Sequence, residues 1–107
     1  MGTWDVSRVT DMSKLFWLRR DFDDPGISAW DTSSVVNMDR LFACCHSLAA
    51  DLGAWDTSSV TSMYAMFYRC TSFTGKGIGA WDVSRVADMK FLFYGCSSLR
   101  ASLRNWR

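Results

Sequence analysis

Four cysteines, one histidine and a column of evenly spaced aspartates are the side chains of this 107-residue chain that could do chemistry. Cys44, Cys45 and His46 are adjacent, but a Cys–His nucleophile pair needs facing side chains and a third group that orients them. Zinc binding by thiolates needs closely spaced pairs such as Cys-x-x-Cys, which the sequence lacks. We therefore predict that the chain is not an enzyme and that it holds no cofactor and no metal.

The aspartates each follow a tryptophan, in the pairs Trp4-Asp5, Trp30-Asp31, Trp55-Asp56 and Trp81-Asp82. Carboxylates stacked about 5 Å apart would repel one another. Backbone hydrogen bonds, water or a cation such as calcium could offset that repulsion. We favour a structural role, in which each Asp-x-Ser segment closes an Asx turn. Equivalent carboxylates in equivalent surroundings do not form an acid/base pair.

Three of the cysteines, Cys45, Cys70 and Cys96, occupy one column of the same repeat. A disulfide between neighbours is possible only if their Cα atoms lie within about 7 Å. A buried, small, apolar thiol is the favoured interpretation.

The repeat itself is set by five of the six tryptophans, which stand at intervals of 26, 25, 26 and 25 residues: Trp4, Trp30, Trp55, Trp81 and Trp106. We predict one repeat domain over residues 1–107, with repeats at 4–29, 30–54, 55–80 and 81–105 and a fifth that begins at residue 106. Further columns hold the same residue type in every repeat: Met12, Met38, Met63 and Met89, then Phe16, Phe42, Phe67 and Phe93. We expect these two columns and Trp4, Trp30, Trp55 and Trp81 to form the core.

Each repeat has two kinds of periodicity. Around the tryptophan, apolar and polar residues alternate, which is typical of a short strand. Valine, methionine and Leu-Phe then recur at intervals of three to four, which indicates one face of a short helix, with Ser7, Ser33, Ser58 and Ser84 at its N-cap. The sequence predicts an α/β repeat solenoid, with one short parallel strand and one short helix per 25–26-residue repeat.

The chain begins at a predicted strand, ends one residue after Trp106 and carries no polar cap. Repeat arrays need capped ends. We therefore expect a fragment of a longer array, whose open ends allow end-to-end self-association.

Charge and hydropathy exclude two classes of partner. The formal net charge is +1, which provides no general attraction for nucleic acid. No apolar run approaches the roughly 20 residues that cross a bilayer, so we expect no membrane insertion by this segment.

The pattern Trp-Asp-x-Ser-x-Val-x-x-Met, clearest at residues 55–63 and 81–89, resembles the 26-residue repeat of bacterial and mycoplasmal surface proteins that is grouped with BspA-type leucine-rich repeats. The first repeat departs from it most, since Arg19 replaces the cysteine. The resemblance implies a leucine-rich-repeat-like right-handed superhelix, a cell-surface or extracellular location, and roles in adhesion or protein binding.

We predict a non-catalytic interaction module that binds a protein or glycan through its exposed sheet face. The residues expected on that face are Asp5, Arg8, Asp31, Ser34, Asp56, Ser59, Asp82 and Arg85. The alternative is a passive structural spacer with no specific ligand. A binder should carry an irregular patch with aromatic or arginine side chains on one face, whereas the repeats of a spacer should look alike.

Overall fold

The repeats lie side by side and are joined by backbone hydrogen bonds. The structure is a computed structural model that describes residues 2–106, so Met1 and Arg107, the two ends of the expected domain, lie outside the described residues. Alternate N–H groups of residues 12–18 donate to carbonyls of residues 37–43 at 2.9–3.0 Å. Residues 38–44 bind residues 62–68 in the same way at 2.7–3.0 Å, and residues 63–69 bind residues 88–94 at 2.6–3.1 Å. Each repeat thus satisfies much of its backbone through the next one.

The N–H groups between these donors close tight turns within their own repeat. Leu15 donates to the carbonyl of Met12, Trp17 to that of Lys14, and Arg19 to that of Phe16. The same three-residue step recurs in the other repeats. The segment that the periodicity assigned to a helix is therefore a chain of overlapping β-turns.

Left-handed residues explain why this segment is not helical. Two residues per repeat have positive φ between 52° and 75°: Lys14 and Leu18, Arg40 and Cys44, Ala65 and Arg69, and Phe91 and Gly95. A left-handed residue cannot continue a right-handed helix and costs roughly 1–2 kcal/mol when it has a side chain. The serines expected at helix N-caps consequently have no helix to cap.

The predicted α/β repeat solenoid, with its leucine-rich-repeat-like right-handed superhelix, is therefore wrong. Within residues 2–106, regular structure is confined to two 3-10 helices, Pro25–Ala29 and Ile78–Ala80, and three isolated parallel bridges. The bridges pair Asp11 with Asn37, Asn37 with Ser62, and Ser62 with Asp88. They form no sheet, and they lie seven residues after each tryptophan rather than at the expected strand. The radius of gyration is 12.3 Å, close to the ~13 Å of a compact domain of this length.

The 3-10 helices belong to the return loops. Asp24 caps the first one, because its carboxylate accepts the N–H of Gly26 at 2.8 Å and Pro25 presets the first turn. Gly77 precedes the second helix with a φ of 86°. A Cβ on Gly77 would lie 2.6 Å from the Cα of Gly53, so the neighbouring return loops can approach this closely only at glycine.

The core is built from the expected columns of large apolar residues. The rings of Phe16, Phe42, Phe67 and Phe93 follow one another with centroids 5.7, 5.7 and 5.8 Å apart. Phenylalanine thus stacks on phenylalanine from one repeat to the next.

The tryptophan and methionine columns are less uniform. Trp30 stacks on Trp55 at 6.3 Å, and Trp30, Trp55 and Trp81 are buried. Trp4 stacks on Trp30 but is 56% exposed. Met12, Met38 and Met63 are buried, while Met89 and Phe93 are half-buried.

The described residues contain no helix with the length and hydropathy of a membrane span.

Candidate functional site

The aspartate column forms tight turns, as the Asp-x-Ser spacing indicates. In each repeat the aspartate Oδ1 accepts the N–H of the serine two residues later, at 2.9–3.0 Å. In the first three repeats the serine hydroxyl also donates to that oxygen, at 2.6 Å. The predicted Asx turns are confirmed, and the serine hydroxyls act as donors to aspartate rather than as helix caps.

These hydrogen bonds also set the protonation of the column. The bond from Ser58 lowers the pKa of Asp56, although the charges of Asp31 and Asp82 on either side act to raise it. The pKa values of Asp5, Asp31 and Asp82 are lowered by the same kind of serine contact. All four carboxylates shift in one direction, so no pair of them is divided into an acid and a base.

The face that the sequence assigned to a partner, which we call the Asp face, is polar and open. Its aspartates and Arg8 and Arg85 are exposed, whereas Ser34 and Ser59 are half-buried. Its residues are Asp5, Arg8, Asp31, Ser34, Asp56, Ser59, Asp82 and Arg85. Nowhere in residues 2–106 do three or more His, Cys or Asp side chains cluster as metal ligands.

The cysteine column lies in the core as free thiols. Cys45 and Cys70 are buried, and Cys96 is half-buried. Each thiol donates to a phenylalanine carbonyl of the preceding repeat, at 2.9–3.1 Å. Burial raises the pKa of Cys45 to about 12 and that of Cys96 to about 11, and it raises the pKa of Cys70 as well. These thiols are small, protonated core residues, as the sequence favoured.

A groove of about 530 Å³ runs across all four repeats on the outer side of the turn segments. We call it the aromatic groove. It is lined by Trp17, Leu18, Arg40, Ala43, Cys44, Tyr64, Ala65, Tyr68, Phe91 and Tyr94. Its residues flank the phenylalanine column in sequence: some lie between the methionine and the phenylalanine of a repeat, and the others directly follow the phenylalanine.

The walls of the aromatic groove are rings that contact one another. Tyr68 stacks on Tyr94 with centroids 5.1 Å apart. Phe91 meets both Tyr64 and Tyr94 edge to face, at 5.9 and 6.0 Å. Trp17, Phe91 and Tyr94 are between 42% and 53% exposed. Exposed aromatic residues that are held rigidly in this way are the side chains most enriched at binding hot spots.

Three cations lie over these rings. The guanidinium of Arg40 is 4.7 Å from the ring centroid of Tyr64. That of Arg69 lies over both Tyr68 and Tyr94, at 5.4 and 5.9 Å. The ammonium of Lys14 is 5.4 Å from the ring of Trp17. Cation–π contacts fix these flexible side chains beside the groove.

Cys44 is the groove's thiol. Unlike Cys45 and Cys70 it is partly exposed, and it occupies a left-handed position with a φ of 63°. It lines the groove between the side chains of the first and third repeats. A reagent specific for thiols can therefore label the groove at Cys44.

The comparison with known protein families covers nearly the whole chain. Residues 1–106 match the family described as Mycoplasma protein of unknown function, DUF285. The chain belongs to this family. The match includes every residue of the aromatic groove and of the Asp face. The resemblance to mycoplasmal repeats is confirmed at this level, and the narrower BspA-type leucine-rich-repeat assignment is not. No curated protein and no solved structure matches the chain.

The aromatic groove was not predicted from the sequence, because the predicted sites came from columns whose residue type stays constant. The groove is made of columns that vary: Trp17, Ala43, Tyr68 and Tyr94 are equivalent positions, and so are Lys14, Arg40, Ala65 and Phe91. Aromatic and arginine side chains therefore stand at positions whose residue type differs from one repeat to the next. Inspection of the positions between the core columns would have revealed this variation.

Proposed function

We propose that this chain is a non-catalytic binding module of a cell-surface or secreted protein, and that it attaches to a ligand on another cell or on matrix through the aromatic groove. The proposal retains the interaction role expected from the sequence and moves it from the Asp face to the groove. Membership of a Mycoplasma repeat family supports a BspA-like surface role, without a leucine-rich-repeat fold.

The observation that carries the proposal is the composition of the groove. Large exposed apolar side chains rarely lie together on a soluble protein unless they bind something. Here Trp17, Leu18, Phe91 and Tyr94 are each at least 42% exposed and line one continuous groove. A volume of about 530 Å³ falls within the roughly 300–1,000 Å³ of ligand sites.

The Asp face supports binding less well. Its carboxylates are already engaged with serines of their own turns. The backbone contact between serine N–H and aspartate recurs in every repeat, so the aspartates offer little that distinguishes one ligand from another.

Blocking the groove at one atom tests the proposal. The purified chain would be alkylated at Cys44 with a bulky maleimide, coated on beads and presented to animal cells and to extracellular-matrix proteins. We expect unlabelled beads to adhere and labelled beads to lose adhesion, because the adduct fills the groove. A Cys44→Ser chain carried through the same maleimide treatment should adhere like the untreated protein.

The other outcomes are equally informative. Adhesion that survives the Cys44 adduct but is lost in Arg8→Gln and Arg85→Gln would place the ligand on the Asp face. Absence of adhesion by the unlabelled chain on every surface would reject the binding role and favour the passive spacer.

A further inference from the structure

The chemistry of the aromatic groove is specific enough to indicate what kind of molecule fits it. Its lining is largely apolar: the buried Ala43 and Ala65 form its floor, and the exposed Leu18 lines it as well. Its lining contains no carboxylate and no carboxamide. The hydroxyl groups of a neutral sugar would find few hydrogen-bond acceptors there. An aliphatic or aromatic side chain, in contrast, would bury apolar surface in the groove.

The charged side chains beside the groove are positive. Arg40, Arg69 and Lys14 lie on the rings of the groove, and none of them has an ion-pair partner within residues 2–106. The acidic residue next to Arg40 in sequence is Asp39. Its Oδ1 accepts a hydrogen bond from the hydroxyl of Ser62 and another, at 2.9 Å, from the N–H of Tyr64. Its oxygen is thus engaged by the neighbouring repeat.

A guanidinium that stacks on a ring keeps its N–H edge available in a defined plane. That edge binds carboxylates with paired hydrogen bonds, which a lysine ammonium cannot do. Arg40 over Tyr64 therefore presents a carboxylate-binding group beside an apolar floor. Arg69, which interacts with the side chains of both Tyr68 and Tyr94, places a second positive charge there.

We propose that the aromatic groove binds an acidic peptide segment of a partner protein, with aliphatic or aromatic side chains on the groove floor and carboxylates on Arg40 and Arg69. This inference rests on the proposed function and adds the chemical class of the ligand. The peptide lies across the repeats, because the groove extends from Trp17 of the first to Tyr94 of the fourth.

Selection from a random peptide library displayed on phage tests the assignment without assuming a sequence. The immobilised chain would select peptides in low salt, and the affinity of enriched peptides would be measured by fluorescence anisotropy. We expect enrichment of Asp and Glu together with Phe, Trp, Tyr or Leu. Binding should weaken as ionic strength rises, since the paired charges are near the surface.

Matched variants locate the contact. Arg40→Gln and Arg69→Gln should each weaken peptide binding about tenfold, which corresponds to ~1.4 kcal/mol. Arg8→Gln makes the same change of charge on the Asp face and should leave the affinity unchanged. Bound peptide should also slow alkylation of Cys44. Thermal unfolding of each variant verifies that it is folded.

Three results would overturn the inference: enriched peptides that are neutral or basic, peptides that bind Arg40→Gln and Arg8→Gln equally, or no enrichment at all. Tighter binding of heparin than of any peptide, with the same dependence on Arg40, would assign the groove to an anionic glycan. If the peptide arm fails while the Cys44 adduct still blocks adhesion to cells or matrix, the proposed function stands and only the ligand class is rejected.

Discussion

Replacement of Phe42 measures how much the stacked phenylalanine column contributes to stability. The ring is fully buried. Its centroid lies 5.7 Å from each of those of Phe16, Phe67 and Trp55. Phe93, at one end of the column, is half-buried and contacts only Phe67 and Trp106 among the described rings, at 5.8 and 5.9 Å.

The expected losses of unfolding free energy at Phe42 and at Phe93 differ enough to be distinguished. Phe42→Ala should cost about 4–5 kcal/mol, near the upper end for a buried phenylalanine. The free energy of unfolding of a domain of this size is ~5–15 kcal/mol in total, so the Phe42→Ala variant is close to unfolding. Phe42→Leu retains most of the apolar volume and loses four ring contacts, a stacking with Phe22 at 6.3 Å included, worth ~0.5–1.5 kcal/mol each. We expect it to cost about 2–3 kcal/mol, against about 1 kcal/mol for Phe93→Leu.

Urea unfolding followed by tryptophan fluorescence provides the measurement, because the buried tryptophans lie against these rings. The dependence of the unfolding free energy on urea should be unchanged, which shows that the midpoint reports stability. Equal losses for Phe42→Leu and Phe93→Leu, or a loss below about 0.5 kcal/mol at Phe42, would refute the view that ring contacts between repeats stabilise the fold.

Four further expectations follow from single contacts. Thr32→Val should cost about 1–2 kcal/mol in urea unfolding, because the buried Thr32 hydroxyl accepts the N–H of Asp56 at 3.0 Å; an unchanged midpoint would contradict this. Leu18→Gly should stabilise by about 0.5–1 kcal/mol by relieving a φ of 66°, while Leu18→Ala should bring no gain. Folding lowers the pKa of Asp56 and of its equivalents, so the stability that these carboxylates contribute is complete above their unfolded pKa near 3.8 and is lost as pH falls through their folded pKa. The urea midpoint, measured across acidic pH, should therefore fall. Ser58→Ala should make that fall smaller. At neutral pH, iodoacetamide should modify Cys44 before the buried Cys45 and Cys70, as peptide mapping by mass spectrometry would show. Modification of Cys45 and Cys70 at the same rate as Cys44 would disprove their burial.

The core and the turns were accessible from the sequence because they depend on residues that recur. The Trp and Phe columns identify the repeat, and the Asp-x-Ser spacing indicates the turn that Asp31 and Ser33 form. Both features are local or periodic, so one chain suffices to read them.

The secondary structure was not accessible, for a physical reason. Inward residues spaced by three and four fit a helix, and they fit a chain of overlapping turns equally well. The residues that distinguish the two are left-handed, yet Lys14, Arg40 and Ala65 are good helix formers in isolation. Packing of neighbouring repeats, which provides the partners for their N–H groups, overrides that local preference.

The hydrogen bonds between repeats have a consequence for how such a chain can change in evolution. Each repeat offers its neighbour the same donors and acceptors at the same positions. Duplication or loss of one 25- or 26-residue unit at the level of the gene would leave the contacts at the new junction equivalent to the old ones. The outward positions can then diverge independently, so recognition and copy number can vary while the interior is kept.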